Sequence, residues 1–130
     1  MTASQKERGA AFRKLHDGEP FVIPNPWDAG SARALEALGF KALATTSSGF
    51  AFTLGRSDGA ATLDDVASHV ASLVEATDLP VSVDLENGYG PDPDDAAAAV
   101  ARAAESGAVG GSIEDFDPGG AIYELGHAAE

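Results

Sequence analysis

The segment Val81-Ser82-Val83-Asp84-Leu85-Glu86-Asn87-Gly88-Tyr89-Gly90 runs from alternating apolar residues into two acids and then into a glycine-rich turn. The valines at alternate positions predict a strand. Its side-chain period of two predicts that Asp84 and Glu86 leave the C-terminal end on one face, where they can share a hard cation. A second short run, Gly110-Gly111-Ser112-Ile113, ends in a third acid, Glu114, one helix later. Three carboxylates at the ends of successive strands read as a metal site.

The rest of the chain repeats this strand-then-helix order. Gln5 to His16 predicts a short amphipathic helix closed by Asp17-Gly18. Phe21-Val22-Ile23 predicts a first strand, cut off by Pro24 and Pro26. Asp28 is placed as the N-cap of a helix from Ala29 to Leu38, with Gly39 as its stop. Leu43 to Thr46 predicts a second strand, and Ser47 to Gly59, rich in glycine and serine, predicts a long loop. Thr62 caps a third helix whose Val66, Val70, Leu73 and Val74 fall at helical spacing until Asp78-Leu79-Pro80 breaks it. Pro93-Asp94-Asp95 opens an alanine-rich helix to Ser106, with acids in the first turn and Gly107 as the stop. A glycine-rich loop follows the Ile113 strand, and a helix is predicted from about Ala121 to the chain end.

Units of this kind define an α/β class with parallel strands and right-handed crossovers. No linker interrupts them, so residues 1–130 read as one domain. About four βα units do not close an eight-stranded barrel, which takes roughly 250 residues. With 44% hydrophobic and 22% charged residues, the chain can bury a core. It has no cysteine, which excludes a disulfide framework, a thiolate zinc site and a cysteine nucleophile, and fits a reducing compartment, so a cytoplasmic location is expected. The polar N-terminal residues lack a signal-peptide core, and no apolar run is long enough to span a bilayer. A formal charge of −13 argues against nucleic acid or an anionic membrane surface as a partner. An anionic small substrate then needs a local cation.

Several patterns agree in order and spacing with one known family: Asn25-Pro26-Trp27-Asp28-Ala29-Gly30-Ser31-Ala32, Gly39-Phe40-Lys41-Ala42, Thr46-Ser47-Ser48-Gly49, Leu54-Gly55 ahead of Asp58, Asp84-Leu85-Glu86-Asn87-Gly88-Tyr89-Gly90, and Ser112-Ile113-Glu114-Asp115. On these, the chain resembles the isocitrate lyase/phosphoenolpyruvate mutase superfamily, with the likeness running from Pro24 to about His127 and covering the first half of a family barrel. The resemblance implies a TIM (β/α)8 barrel of which about the first four strands are present. It also implies a Mg²⁺-dependent enzyme, with Mn²⁺ as the alternative ion, that makes or cleaves a C–C or C–P bond next to a 2-oxo or 2-hydroxy carboxylate through a metal-bound enolate. The implied metal ligands are Asp84, Glu86 and Glu114. The family usually has Asp where Glu86 stands, and the extra methylene implies a shift of that carboxylate toward a water-mediated role.

The resemblance further implies that Thr46, Ser47 and Ser48 hold the substrate carboxylate, with serines where the family has glycines, and that Asp58 is a loop acid near the reacting group. Family lyases carry a mobile loop reading Lys-Lys/Arg-Cys-Gly-His. Here the corresponding place reads Ile122-Tyr123-Glu124-Leu125-Gly126-His127, which keeps only the Gly-His end. With no cysteine in the chain, Tyr123, Glu124 or His127 is left to handle a proton, or the chemistry belongs to the hydrolase- or mutase-like branches. The implied partners are a small anionic 2-oxo or 2-hydroxy acid and further copies of the chain in a homo-oligomer.

Plainer readings stand beside these. Asp28 reads as an N-cap before it reads as a catalyst. Trp27 reads as packing as well as a substrate contact. His16 and His69 read as surface helix residues, and Asp64, Asp65, Asp94 and Asp95 as first-turn or solvated charges. The alternative to an enzyme is a catalytically incomplete half-barrel that needs further strands or a partner chain, whose open strand edges would pair with other chains.

Overall fold

The structure is a computed structural model that describes residues 3–130. Ser4 and Glu7 cap each other's backbone at the start of α1 (Gln5–Leu15). Pro24 and Pro26 offer no N–H to a sheet, and the predicted Phe21–Ile23 strand does not form. The segment that follows meets the first strand at Ala44, whose N–H donates to Pro24 O at 3.1 Å and whose carbonyl accepts from Asn25 Nδ2 at 3.0 Å. Asp28 Oδ1 accepts from Ser31 N at 2.7 Å and starts α2 (Ala29–Ala37), and this bond holds the Asp28 carboxyl below its ordinary range. Its capping role is the one expected.

Three strands form a parallel sheet in the order β1-β2-β3: β1 (Leu43–Ala44), β2 (Val81–Asp84) and β3 (Gly110–Ser112). Leu43 lies opposite Val81, and Asp84 opposite Ser112. The Ser47–Gly59 segment is not all loop. Thr46 caps α3 (Ser47–Thr53), a helix hidden by its glycine and serine content and stabilised by burying Phe50 and Ala51. Between β1 and β2 runs α4 (Leu63–Ala76), opened by a reciprocal Thr62–Asp65 capping box. Between β2 and β3 runs α5 (Pro93–Glu105), with proline at its first position and Gly107 at φ +98° beyond its end.

Val81, Val83 and Leu85 are buried on the helix-facing side of the sheet, with Val66, Val70 and Leu73 of α4 and Ala99 and Ala103 of α5. Helix α4 packs against both α2 and α5, so the helices form one layer over one sheet face. Ser82 and Asp84 point the other way, as the period of two requires. Helix α1 closes the end of the sheet opposite the acids. Its buried Arg8 donates to Val74 O at 2.9 Å, its Gln5 amide donates to Ala104 O and Ala108 O, and Phe12 lies over Gly110.

Beyond β3 the expected terminal helix is largely replaced by a small antiparallel hairpin, β4 (Phe116–Asp117) with β5 (Ala121–Ile122). Gly120 turns at φ +99°, and a single turn α6 (Leu125–Ala128) follows. His69 also departs from expectation. It is buried, not at the surface, and its ring stacks on Phe50 of α3 with centroids 4.1 Å apart. Among the described residues no helix is long and apolar enough to cross a membrane.

Candidate active site

Strand β2 ends at Asp84, and the chain turns at once. Glu86 has φ +49° and Tyr89 φ +65°, a left-handed backbone that side-chain-bearing residues adopt only when the surroundings hold them there. Gly88 is required where it is: it also lies at positive φ, and a Cβ there would meet Ala96 of α5 at 2.7 Å. Glu86 therefore reaches the space beyond the sheet through a turn, and not by the strand alternation expected of it.

Backbone contacts bring the other acids to this turn. Leu85 N donates to Ser112 O at 3.0 Å, and Glu114 N donates to Glu86 O at 2.7 Å, so the ends of β2 and β3 are tied directly. Asp84 is held on every side: its N–H donates to Thr45 Oγ1 at 2.9 Å, its Oδ2 accepts from Ser47 N at 2.9 Å, and its Oδ1 accepts from Glu86 N at 3.1 Å. Glu86, Glu114, Asp58 and Ser47 line one cavity of about 410 Å³, walled also by Asn87, Phe116 and Pro118.

The electrostatics of this cavity are unbalanced. Burial raises the Glu86 carboxyl above its ordinary value, and the nearby charges of Asp84, Asp58 and Glu114 push it the same way. Glu86 Oε1 and Tyr89 Oη are buried with no hydrogen-bond partner. Tyr89 stands close enough to Glu86 to act on its charge, yet outside hydrogen-bond geometry. Burial first, and then the charges of Glu86, Asp84 and Asp65, push the Tyr89 phenol up. An orphaned carboxylate oxygen among three other acids fits an all-oxygen site for a hard divalent cation. Among the described residues no three acid or histidine side chains converge tightly enough to ligate an ion as they stand, so the donors fit by chemistry and not by closed geometry.

The structure brings Asp58, Ser47, Glu86 and Glu114 to one cavity, with Asp84 bonded to its wall. Thr46 and Ser48 sit beside Ser47 with their hydroxyls 3.4 Å apart, but they do not line it. Trp27 is half exposed, against Gly49 of α3 and edge-on to Phe52, and does not line this cavity. Tyr123 lines an adjoining cavity of about 340 Å³ together with Glu86, Asn87 and Tyr89. His127 lies edge-on to Tyr123, facing a cavity along α5 that Tyr123, Asn87 and Glu114 also line, and Glu124 is exposed at the start of α6. The sequence reading passed over Asn87, which links the acid turn to Tyr123 by a 2.8 Å hydrogen bond. Its position directly after Glu86 was the available signal.

Parallel βα units with acids gathered at the C-terminal ends of the strands are the opening part of a (β/α)-barrel scaffold, with the acids at the end where such barrels bind ligands. The profile of the phosphoenolpyruvate phosphomutase family matches residues 12–130, and the chain belongs to that family. It is similar to a crystal structure from Burkholderia cenocepacia J2315 provisionally described as a lyase/mutase, with 53% identity and a TM-score of 0.85 over 88% of this chain and 42% of that one. A second Burkholderia cenocepacia J2315 structure, provisionally described as a phosphonomutase, matches at 41% identity and a TM-score of 0.91 over 97% of this chain and 51% of that one. Among curated relatives, the 2-methylisocitrate lyase of Halalkalibacterium halodurans is 38% identical over 89 residues, 67% of this chain and 30% of that protein. The chain thus spans about half or less of the length of the proteins it matches.

Proposed function

We propose that this chain carries the acidic centre of a Mg²⁺-dependent enzyme that makes or breaks a C–C or C–P bond next to a 2-oxo or 2-hydroxy carboxylate, with Mn²⁺ as the alternative ion. The observation that carries this reading is Glu86 Oε1, buried without a partner and ringed by Asp84, Asp58 and Glu114. Asp84, Glu86 and Glu114 would hold the ion, with Asp58 facing them from the loop after α3. Once bound, the ion supplies Lewis-acid stabilisation of the negative charge that develops on the oxygens beside the broken bond.

The remaining work falls to the chain's own groups. Ser47 N–H and Glu86 N–H fix the Asp84 carboxylate, while Thr45 Oγ1 holds the Asp84 backbone N–H, so that little reorganisation is needed when charge changes beside it. Ser47 lines the same cavity, with Thr46 and Ser48 adjacent, and this end of β1 is assigned to the substrate carboxylate. With no cysteine present, Tyr123 is assigned the proton transfer, because it shares a cavity with Glu86 while Glu124 and His127 do not. Trp27 is assigned to packing against α3.

A second reading, in which turnover needs further βα units beside β3, is favoured by the apolar surface left along that edge. A cavity of about 330 Å³ lined by Val83, Leu85, Val100, Ala103, Ala108 and Ile113 opens there, with Val100 and Ile113 half exposed. A screen of 2-methylisocitrate, isocitrate, oxaloacetate and phosphonopyruvate with Mg²⁺ tests both readings. Release of pyruvate, glyoxylate, acetate or oxalate that disappears in Glu86→Gln supports the first. Turnover found only in a longer family chain supports the second.

A further inference from the structure

The hydrogen bonds around Asn87 leave one proton unassigned. Asn87 Oδ1 accepts from Tyr89 N at 3.2 Å, and this fixes which way the amide faces. Its nitrogen must then point outward, and Nδ2 donates to Tyr123 Oη at 2.8 Å, with a second, longer contact to Gly90 O at 3.4 Å. An amide N–H can only donate, so the phenol oxygen is the acceptor in this pair. Tyr123 Oη makes no other hydrogen bond among the described residues. Its own proton is therefore uncommitted.

Position makes that proton consequential. Tyr123 is half-buried, its N–H is bonded to Asp115 O at 2.9 Å, and it stands between the cavity of about 340 Å³ that contains Glu86 and the cavity along α5 that contains Glu114 and His127, lining both. That cavity shares Gly59, Glu86, Asn87 and Pro118 with the acid-lined one. Glu86 is itself orphaned beside it, so the shared space holds a spare donor and a spare anionic acceptor.

We propose that Asn87 is a positioning residue: by filling the acceptor side of the Tyr123 oxygen, its amide leaves the phenolic proton as a donor directed into the shared cavity, for an anionic oxygen of a carboxylate- or enolate-bearing ligand. The target of the donor rests on the acidic-centre reading above; the polarity of the Asn87–Tyr123 bond does not.

The test separates the two. The tyrosine Fermi doublet in the Raman spectrum distinguishes a phenol that accepts a hydrogen bond from one that donates. The difference between wild type and Tyr123→Phe isolates Tyr123. The expected ratio is that of an acceptor in the free protein, moving toward a combined acceptor and donor with Mg²⁺ and oxalate, an enolate mimic. Asn87→Asp preserves the acceptor for Tyr89 N but reverses the pair, giving the donor ratio without ligand. By calorimetry, Tyr123→Phe should weaken oxalate binding in Mg²⁺ about 10-fold, the worth of a hydrogen bond to a charged group. Asn87→Asp should cost more in the wild-type background than in the Tyr123→Phe background, where only its added charge acts. A purely structural Asn87 predicts equal costs, because Asp also tethers the phenol. A donor ratio in the free wild type overturns the proposal, as does undiminished oxalate binding by Tyr123→Phe when the wild type binds. Failure of the wild type to bind oxalate with Mg²⁺, alongside an acceptor ratio, overturns the acidic-centre reading and the donor's target with it.

Discussion

Ser47 N donates to Asp84 Oδ2 across 2.9 Å, so the first turn of α3 and the end of β2 are joined by a charge-assisted bond at the edge of the acid cavity. Ser47 is the first residue of its helix, where proline is tolerated, and Thr46 before it is already extended at φ −136° and ψ 123°. Ser47→Pro thus removes the donor without opposing the helix. We expect far-UV circular dichroism to be unchanged and the unfolding free energy in urea to fall by about 1–3 kcal/mol. Unchanged stability would mean that this bond contributes nothing to the fold.

Glu86 sets a pH dependence of stability. Its folded carboxyl is raised above the ordinary 4.5, first by burial and then by Asp84, Asp58 and Glu114. The stability it contributes is complete below 4.5 and is lost as pH rises through the raised value, because ionisation is then disfavoured only in the folded state. Glu86→Gln should be more stable than wild type at neutral pH and should lack this loss, as read by melting temperature against pH. Mg²⁺ should raise the wild-type melting temperature and leave that of Glu86→Gln nearly unmoved. A variant less stable than wild type at neutral pH would contradict the unbalanced charge.

His69 acts in the opposite sense. Burial lowers its imidazole from 6.5 to about 4, against a smaller upward pull from Asp28. A depressed folded value means stability that is present above 6.5 and lost as pH falls toward 4. His69→Phe keeps the stack on Phe50 and removes the charge, so its stability should gain on that of the wild type as pH falls through that window, the Glu86 contribution being common to both. Parallel curves for the two proteins would show that His69 titrates alike in the folded and unfolded states.

Gly49 lets α3 approach Trp27. A Cβ there would lie 2.6 Å from Thr46 Cγ2 and 2.7 Å from Trp27 Cδ1. The indole is half exposed and has room to swing away. In Gly49→Ala the indole can move but Thr46, whose hydroxyl caps α3, cannot do so without losing that cap, so the overlap outweighs the gain in helix propensity and stability should fall by about 1–3 kcal/mol. Emission from Trp27, the sole tryptophan, should move to the red. An unmoved emission maximum would contradict the close contact.

What was legible from residues alone is what local chemistry dictates. Asp28, Thr62, Pro93, Gly39 and Gly107 mark helix ends through caps and left-handed turns that need no tertiary context, and the alternation of Val81, Val83 and Leu85 marks the buried face of β2. What was not legible depends on partners distant in sequence. Helix α3 has too much glycine and serine to be read as a helix, and it exists because Phe50 stacks on His69 and Ser47 binds Asp84. His69 reads as a surface residue until Phe50 covers it. Phe21–Ile23 has strand composition but is followed by Pro24 and Pro26, which deny it a ladder. Glu86 reads as a strand residue in phase with Asp84, yet it reaches the cavity by a left-handed turn that Gly88 permits by its close approach to Ala96.

Calorimetric titration of oxalate into the full chain, with and without Mg²⁺, tests most directly whether Asp84, Glu86 and Glu114 form one cation centre. The account predicts heat only when both are present, weakened at least about 10-fold by Glu114→Gln, which keeps the backbone bond to Glu86 while removing a charge. Oxalate binding that is independent of Mg²⁺, or equal in Glu114→Gln, would contradict it.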